Sequence, residues 1–422
     1  MYEVLSFYLS NGLKVIVHKI SKIKTMSCGI WVKQGSKHED NDINGFSHLI
    51  EHLLVSSVNT ENKAYKDIID KLSLYGVQYN ATTTKEYTNY TFTGLNNMLD
   101  LSLDALANIV MLNKNITKEK LKIEKNIVRQ ELISFYSSFN QIVERTSQAL
   151  WGNLDIGRII VGNMKNIEKC NMENIREIID FSYTPENSVL VIIGDIEYED
   201  VLNMVNEKFS MWQDIKTREY KEIVSSLPGI YINNENKGNT SVLSIGFRLN
   251  SEFIEKNIPV EIISTILGHP SLDSRIMKKI RVECGLAYEL SSFISKYSTK
   301  GSLAFTAITS NENVEKTIKL LIEEIKKAKN NFFTENEIKK AKNILETEAV
   351  LKMNDLTKHL KFLGNSAINN EIFSLENEVR KIQNCTNEMI MSALNDIFIN
   401  ENMGLAAIGS FDADKIIGLI NI

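Results

Sequence analysis

The sequence predicts an α+β fold built from two homologous domains, each a mostly antiparallel β-sheet packed with α-helices. Its 422 residues exceed what one core holds, since single cores stop growing at about 250–300 residues. Runs of β-branched and aromatic residues alternate with helical patterns along the chain. The second half also repeats the first. Glu186-Asn187-Ser188-Val189-Leu190-Val191-Ile192-Ile193-Gly194 returns as Glu401-Asn402-Met403-Gly404-Leu405-Ala406-Ala407-Ile408-Gly409. Thr117…Lys125-Asn126-Ile127…Glu131 returns as Thr334…Lys342-Asn343-Ile344…Glu348, and Tyr75-Gly76-Val77-Gln78-Tyr79 as Cys284-Gly285-Leu286-Ala287-Tyr288. All three matches keep their order at a nearly constant offset. The expected domains are residues 1–212 and 229–422, joined by a polar linker at 213–228.

Taken in order, Leu13 to Val17, after an Asn11-Gly12 turn, and Ser27 to Val32 read as strands. Gly45 to Leu54 follows as a helix, and Ala64 to Leu74 as another that Gly76 ends. Asn80 to Thr93, rich in Thr and Tyr, favours extended strands. Helical patterns fill Met98 to Leu112 and Lys118 to about Phe135. Ser188 to Gly194 is a strand, and a helix runs on to about Trp212. In the second copy, Val260 to Leu267 repeats the first helix with Ile263 in the place of His48. One copy carries ligands there; the other does not.

That first helix concentrates the chemistry. His48 and His52 stand one turn apart, so both imidazoles project from one face, and Glu51 shares it. Leu49, Ile50, Leu53 and Leu54 occupy the other side and can pack into a core. Two neutral imidazoles at this spacing make half of a tetrahedral zinc site, and the carboxylate beside them can take a proton from a water the ion activates. The order is H-x-x-E-H, the reverse of the commoner H-E-x-x-H. With only six histidines in the chain, chance rarely produces it. Glu124 and Glu131 lie seven residues apart on the helix after Lys118 and so share a face. One of them can bind a metal while the other holds a ligand imidazole from behind.

Composition excludes other classes. A hydrophobic content of 43% and a charged content of 24% are those of a water-soluble globular chain. The net charge of -5 argues against nucleic acid as a partner. Cys28, Cys170, Cys284 and Cys385 are scattered, so neither a disulfide framework nor a thiolate zinc site is signalled. The first residues lack a signal-peptide pattern and no apolar run spans a bilayer, so a cytoplasmic location is expected, with no membrane partner.

Together the H-x-x-E-H helix, the Asn-Ala strand, the Glu…Glu helix and the duplication resemble the pitrilysin-like (insulinase, mitochondrial processing peptidase) family of zinc metallopeptidases, nearly end to end. In particular, the chain resembles its short bacterial members. The resemblance implies one Zn²⁺ per chain held by His48, His52 and Glu131, with Glu124 behind a ligand and Glu51 as the general base. It implies that Arg281 and Tyr288, in Arg281-Val282-Glu283-Cys284-Gly285-Leu286-Ala287-Tyr288, reach the substrate carbonyl and main chain across a cleft. A Tyr hydroxyl can donate to a developing oxyanion, and Arg can bind a carbonyl or carboxylate. The chain departs from the family in the loop Gly268-His269-Pro270-Ser271-Leu272-Asp273-Ser274-Arg275, where a Gly-rich turn is usual; His269 reads as a loop residue and not a ligand. Asn80, Ala81 and Thr82 match the family's edge strand, which takes up an extended peptide.

The implied protein is a zinc endopeptidase acting on unfolded peptides or peptide precursors. The chain would form half of a clamshell and pair as a homodimer around a closed chamber, though a related subunit could replace the second copy. Two other classes remain open: a non-catalytic or partner-dependent subunit of a heterodimeric processing peptidase, and a non-haem Fe(II) oxygenase, which also uses two His and a carboxylate.

Overall fold

The computed structural model describes residues 3–56, 62–112, 116–213, 227–234, 238–255, 257–371 and 374–421. Most of the expected linker 213–228 lies outside them. Eleven strands among these residues form two sheets: β1 (Glu3–Tyr8), β2 (Lys14–Lys19), β3 (Thr25–Val32), β4 (Gln78–Thr83), β5 (Thr88–Leu95), β6 (Ser188–Gly194), β7 (Ile230–Asn233), β8 (Thr240–Leu249), β9 (Ala287–Lys296), β10 (Gly301–Ser310) and β11 (Met403–Ile408). The first sheet has the order β1-β2-β6-β3-β5-β4 and the second β7-β11-β8-β10-β9. Five strands thus recur in one order, and each sheet contains one parallel pair, β2 with β6 and β7 with β11. The duplication legible in the motifs is a duplication of topology.

The first half carries α1 (Phe46–Val55), α2 (Lys63–Leu74), α3 (Leu99–Ala107), α4 (Lys118–Ser137) and α5 (Ile142–Trp151). The strands β3 and β6 are buried along nearly their whole length, so the first sheet has two apolar faces. Met26, Cys28, Ile30, Leu190 and Ile192 face α1 and α3. Trp31, Val189, Val191 and Ile193 face the other way, onto Leu360, Leu363 and Ala367 of the helix Leu356–Ile368.

That helix explains why the compact units do not follow a single cut in the chain. One unit comprises Met1–Ser134, Ile159–Glu222 and Leu351–Phe373; the other comprises Phe135–Arg158, Ile223–Val350 and Ser374–Ile422. The helix Leu356–Ile368, from the second half, covers the first sheet. Conversely α5, from the first half, covers the second sheet, where Ile142 packs with Val242, Ala406 and Ile408. The expected boundaries at 212 and 229 therefore miss an exchange of one helix each way. Glycines permit it: a Cβ on Gly364 would stand 2.2 Å from the Trp31 ring, and one on Gly246 would stand 2.7 Å from Thr146 of α5. In the second unit the helix Ile258–Gly268 fills the place of α1, with Ile263 and Leu267 wholly buried.

Candidate metal centre

The helix α1 begins with a device the sequence reading overlooked. Gly45 has φ 102° and lies so close to Gly162 that a Cβ would meet its Cα at 2.9 Å, so only glycine fits. The buried Glu39 carboxylate then accepts from Gly45 N–H at 2.8 Å, Ser47 N–H at 2.6 Å and Asn44 Nδ2 at 3.0 Å. A carboxylate there satisfies free amides and the positive end of the helix. No capping spacing betrays Glu39, six residues upstream and brought in by the turn. Leu49, Ile50, Leu53 and Leu54 are buried as expected, which leaves His48, Glu51 and His52 on the opposite side.

His48, His52 and Glu131 each offer one ligand atom, and the three atoms lie within 4.8 Å of one another. Glu131 Oε2 stands 3.5 Å from His48 Nε2 and 3.4 Å from His52 Nε2. Donors around a tetrahedral zinc at its usual bond lengths of 2.0–2.2 Å stand roughly 3.3 Å apart, so both His–Glu131 separations fit the ion, and two imidazoles with a carboxylate are a donor set that zinc takes. On the far side of His52, Glu124 Oε2 lies 3.5 Å from Nδ1, the arrangement that orients a ligand imidazole. Glu124 is buried and Glu131 is half exposed, so α4 presents one carboxylate to the protein and one to the site. Among the described residues, the buried His48 Nδ1 has no hydrogen-bond partner.

Electrostatics follow from burial and from these carboxylates. Burial, with the neighbouring His52, pulls His48 down to about 4. Burial also works against a charged His52, but Glu124 and Glu131 outweigh it and hold that imidazole up to about 10. The hydrogen bond from His52 holds Glu131 below the usual carboxylate range. Glu51 does not join the three ligands. It is buried, and one of its oxygens, Oε2, accepts from Thr83 Oγ1 at 2.6 Å. Burial raises its pKa, while Thr83 and His52 work in the other direction.

The strand carrying Thr83 is β4, at the edge of its sheet and paired only with β5 among the described strands. Asn80, Ala81 and Thr82 precede Thr83 on it; Asn80 is exposed and the other two half-buried. Thr83 itself was missed by the sequence reading, although strand alternation turns it to the face opposite Thr82 and offered a signal.

Arg281 and Tyr288 belong to the second unit, where the Arg281 guanidinium lies 4.6 Å from the centroid of the Tyr288 ring. Tyr288 is 73% exposed at the start of β9. The preceding loop is fixed without a Gly-rich turn: Arg275 donates to both Glu337 oxygens, at 2.6 and 2.8 Å, and to Phe332 O at 3.0 Å. His269 follows the helix Ile258–Gly268, and its Nε2 stands 3.3 Å from Glu348 Oε1. Glu348 is the repeat counterpart of Glu131, so the second copy keeps a His/Glu contact at this place but no third ligand among the described residues.

Comparison with known proteins gives the family. Residues 14–162 match the model of insulinase (peptidase family M16), and residues 169–345 match the model of the peptidase M16 inactive domain. The chain belongs to peptidase family M16. A Mycobacterium leprae protein described as an uncharacterized zinc protease is 25% identical over 414 residues, 96% of this chain and 92% of that protein. A Bacillus subtilis protein with the same description is 26% identical over 331 residues, 78% of this chain and 79% of its own length. Among solved structures, a Helicobacter pylori protease superposes with a TM-score of 0.88 at 17% identity, covering 97% of this chain and 99% of that one. A chain of complex III2 from Candida albicans does so with a TM-score of 0.85 at 13% identity over the whole of both chains. At such identities the likeness shows the fold alone, and a fold does not by itself imply a function. The M16 relatives named zinc proteases are consistent with the His48, His52 and Glu131 cluster as a metal site.

Proposed function

We propose that this M16 chain is a zinc-dependent endopeptidase that hydrolyses unfolded peptides or peptide precursors. The observation that carries the reading is the convergence of His48 Nε2, His52 Nε2 and Glu131 Oε2 beside the buried Glu51 carboxylate. Zinc held there would supply a Lewis acid for the scissile carbonyl and make a water more acidic. The Glu51 carboxylate takes the proton of the attacking water as the oxygen bonds to the carbonyl carbon, and the π pair moves to the carbonyl oxygen. When the C–N bond breaks, Glu51 returns that proton to the leaving amine nitrogen. Glu124 holds His52 by Nδ1 and keeps Nε2 on the side of Glu131, where it would serve as a ligand. Glu39 and Gly45 fix the start of the helix that bears His48, Glu51 and His52.

Asn80, Ala81 and Thr82 offer the open edge of β4, along which an extended peptide can add as a further strand and be held by its main chain. Tyr288 donates to the developing oxyanion, and Arg281 binds a carbonyl or carboxylate of the substrate. These two groups come from a second copy of the chain, in a homodimer that encloses the peptide in a closed chamber.

The test is cleavage of an unstructured peptide of a few tens of residues, read by mass spectrometry, with wild type, chelated wild type and Glu51→Gln side by side. Cleavage by untreated wild type alone is expected. A chelator-resistant activity, or full turnover by Glu51→Gln, would overturn the metal or the base assignment respectively.

A further inference from the structure

Glu51 is held by a group that no motif marks. Thr83 Oγ1 stands 2.6 Å from Glu51 Oε2, and both residues are buried, Thr83 at 7% and Glu51 at 8% exposure. The direction of the hydroxyl bond is decided by the next residue in the chain of contacts. Thr88 Oγ1 donates to Gln34 O at 2.8 Å, and a carbonyl can only accept, so the Thr88 proton is committed there. Thr88 therefore has no proton to offer Thr83, and its oxygen is only a distant acceptor at 3.4 Å. The Thr83 proton has one good acceptor, Glu51 Oε2.

We propose that Thr83 is a positioning residue for the general base: it occupies Glu51 Oε2, so that Oε1 is the oxygen that takes the water proton and returns it to the leaving amine. This rests on Glu51 being the base, as proposed above. The arrangement has a second consequence. Thr83 is the last residue of β4, and Asn80, Ala81 and Thr82 stand immediately before it on the open edge. A peptide that pairs with this edge orders the same strand that orients the carboxylate, so strand docking and proton transfer share one element. Binding energy from remote parts of the peptide can then appear in kcat as well as in KM.

Thr83→Val keeps the β-branched shape and removes only the hydroxyl, while Thr83→Ser keeps the hydroxyl. Both are compared with wild type as the full-length zinc-loaded protein on the same unstructured peptide, with kcat, KM and zinc content measured for each. Thr83→Ala replaces the valine variant if the latter does not fold. The expected result for Thr83→Val is a kcat roughly 10- to 100-fold lower, the usual cost of removing such a supporting hydrogen bond, with KM and zinc stoichiometry unchanged. Thr83→Ser should stay within a few-fold of wild type. A wild-type kcat for Thr83→Val, a loss confined to KM, or a serine variant as slow as the valine one would each overturn the assignment. Those results require an active wild type and leave the peptidase reading intact. A wild type that cleaves nothing overturns both.

Discussion

His52 is the residue on which the candidate centre turns. One carboxylate faces each of its nitrogens, Glu124 at Nδ1 and Glu131 at Nε2, and the two have different work. Glu131 is half exposed and shares its oxygen with His48; Glu124 is buried and touches no second histidine. Removing the buried one should therefore leave the ligand set whole but let the ring turn. Glu124→Gln is expected to weaken zinc binding roughly 10- to 100-fold, measured by competition with a chromogenic chelator, while zinc saturation at high metal recovers cleavage. Affinity unchanged within two-fold would remove Glu124 from this role. The H-x-x-E-H spacing and the Glu124/Glu131 spacing were both legible because each is a local helical periodicity. Glu39 was not, because a turn brings it to the helix start; strand alternation gives the face of Thr83 but not the Glu51 carboxylate that this face meets.

At the scale of the element, the helix Leu356–Ile368 has to lie flat on Trp31, and Gly364 is the residue that allows it. Trp31 Nε1 also donates to Asn365 Oδ1 at 3.0 Å, which fixes the ring against the same helix. Alanine is the better helix former by about 1 kcal/mol, yet here its methyl would enter the indole. Gly364→Ala should thus lose about 1–3 kcal/mol of stability in urea unfolding; a gain would mean that the helix shifts freely. The same helix brings His359 Nε2 to 3.1 Å from His18 Nδ1 of β2, with both rings buried. Burial, and then His18, hold His359 down to about 4. Between about pH 6.5 and about 4, the unfolded chain takes up a proton at this position and the folded chain does not, so ν_U exceeds ν_N. Stability is full above that window and is lost as pH falls through it. His38, held down to about 3, adds to the same slope. Urea midpoints measured from pH 7.5 to 4.5 should fall, and His359→Gln should flatten part of the fall.

For the whole molecule, the metal ligands belong to one compact unit and the Arg281/Tyr288 pair to the other. If the pair serves the zinc of a second chain, two differently crippled subunits can make one sound site. In an equal mixture of Glu51→Gln and Tyr288→Phe proteins, exchanged at random under mild denaturant, about half of the dimers are mixed and each holds one sound site, so about a quarter of wild-type turnover per chain should be recovered, whereas Tyr288→Phe alone should lose roughly 10² in kcat. No recovery on mixing would place the pair in the same chain as its metal or outside the reaction.

The sequence by itself determined what depends on near neighbours. It established the alternation of strands and helices, the duplicated order of motifs, the face shared by His48, Glu51 and His52, and the loss of that face at Ile263 in the second copy. These are periodicities of two and of 3.6 residues, written directly in the order of side chains. Tertiary structure decided what depends on distant ones. It gave α5 to the second sheet and Leu356–Ile368 to the first, because each sheet has two apolar faces and its own half covers only one. It separated Glu131 from Glu124 by burial and exposure, although both lie on one helix face. It brought the edge strand to Glu51 through Thr83 and the loop carboxylate of Glu39 to the start of α1. Each of those contacts closes a loop in the chain, and it is the packing of whole elements, not the residues in between, that selects which loops close.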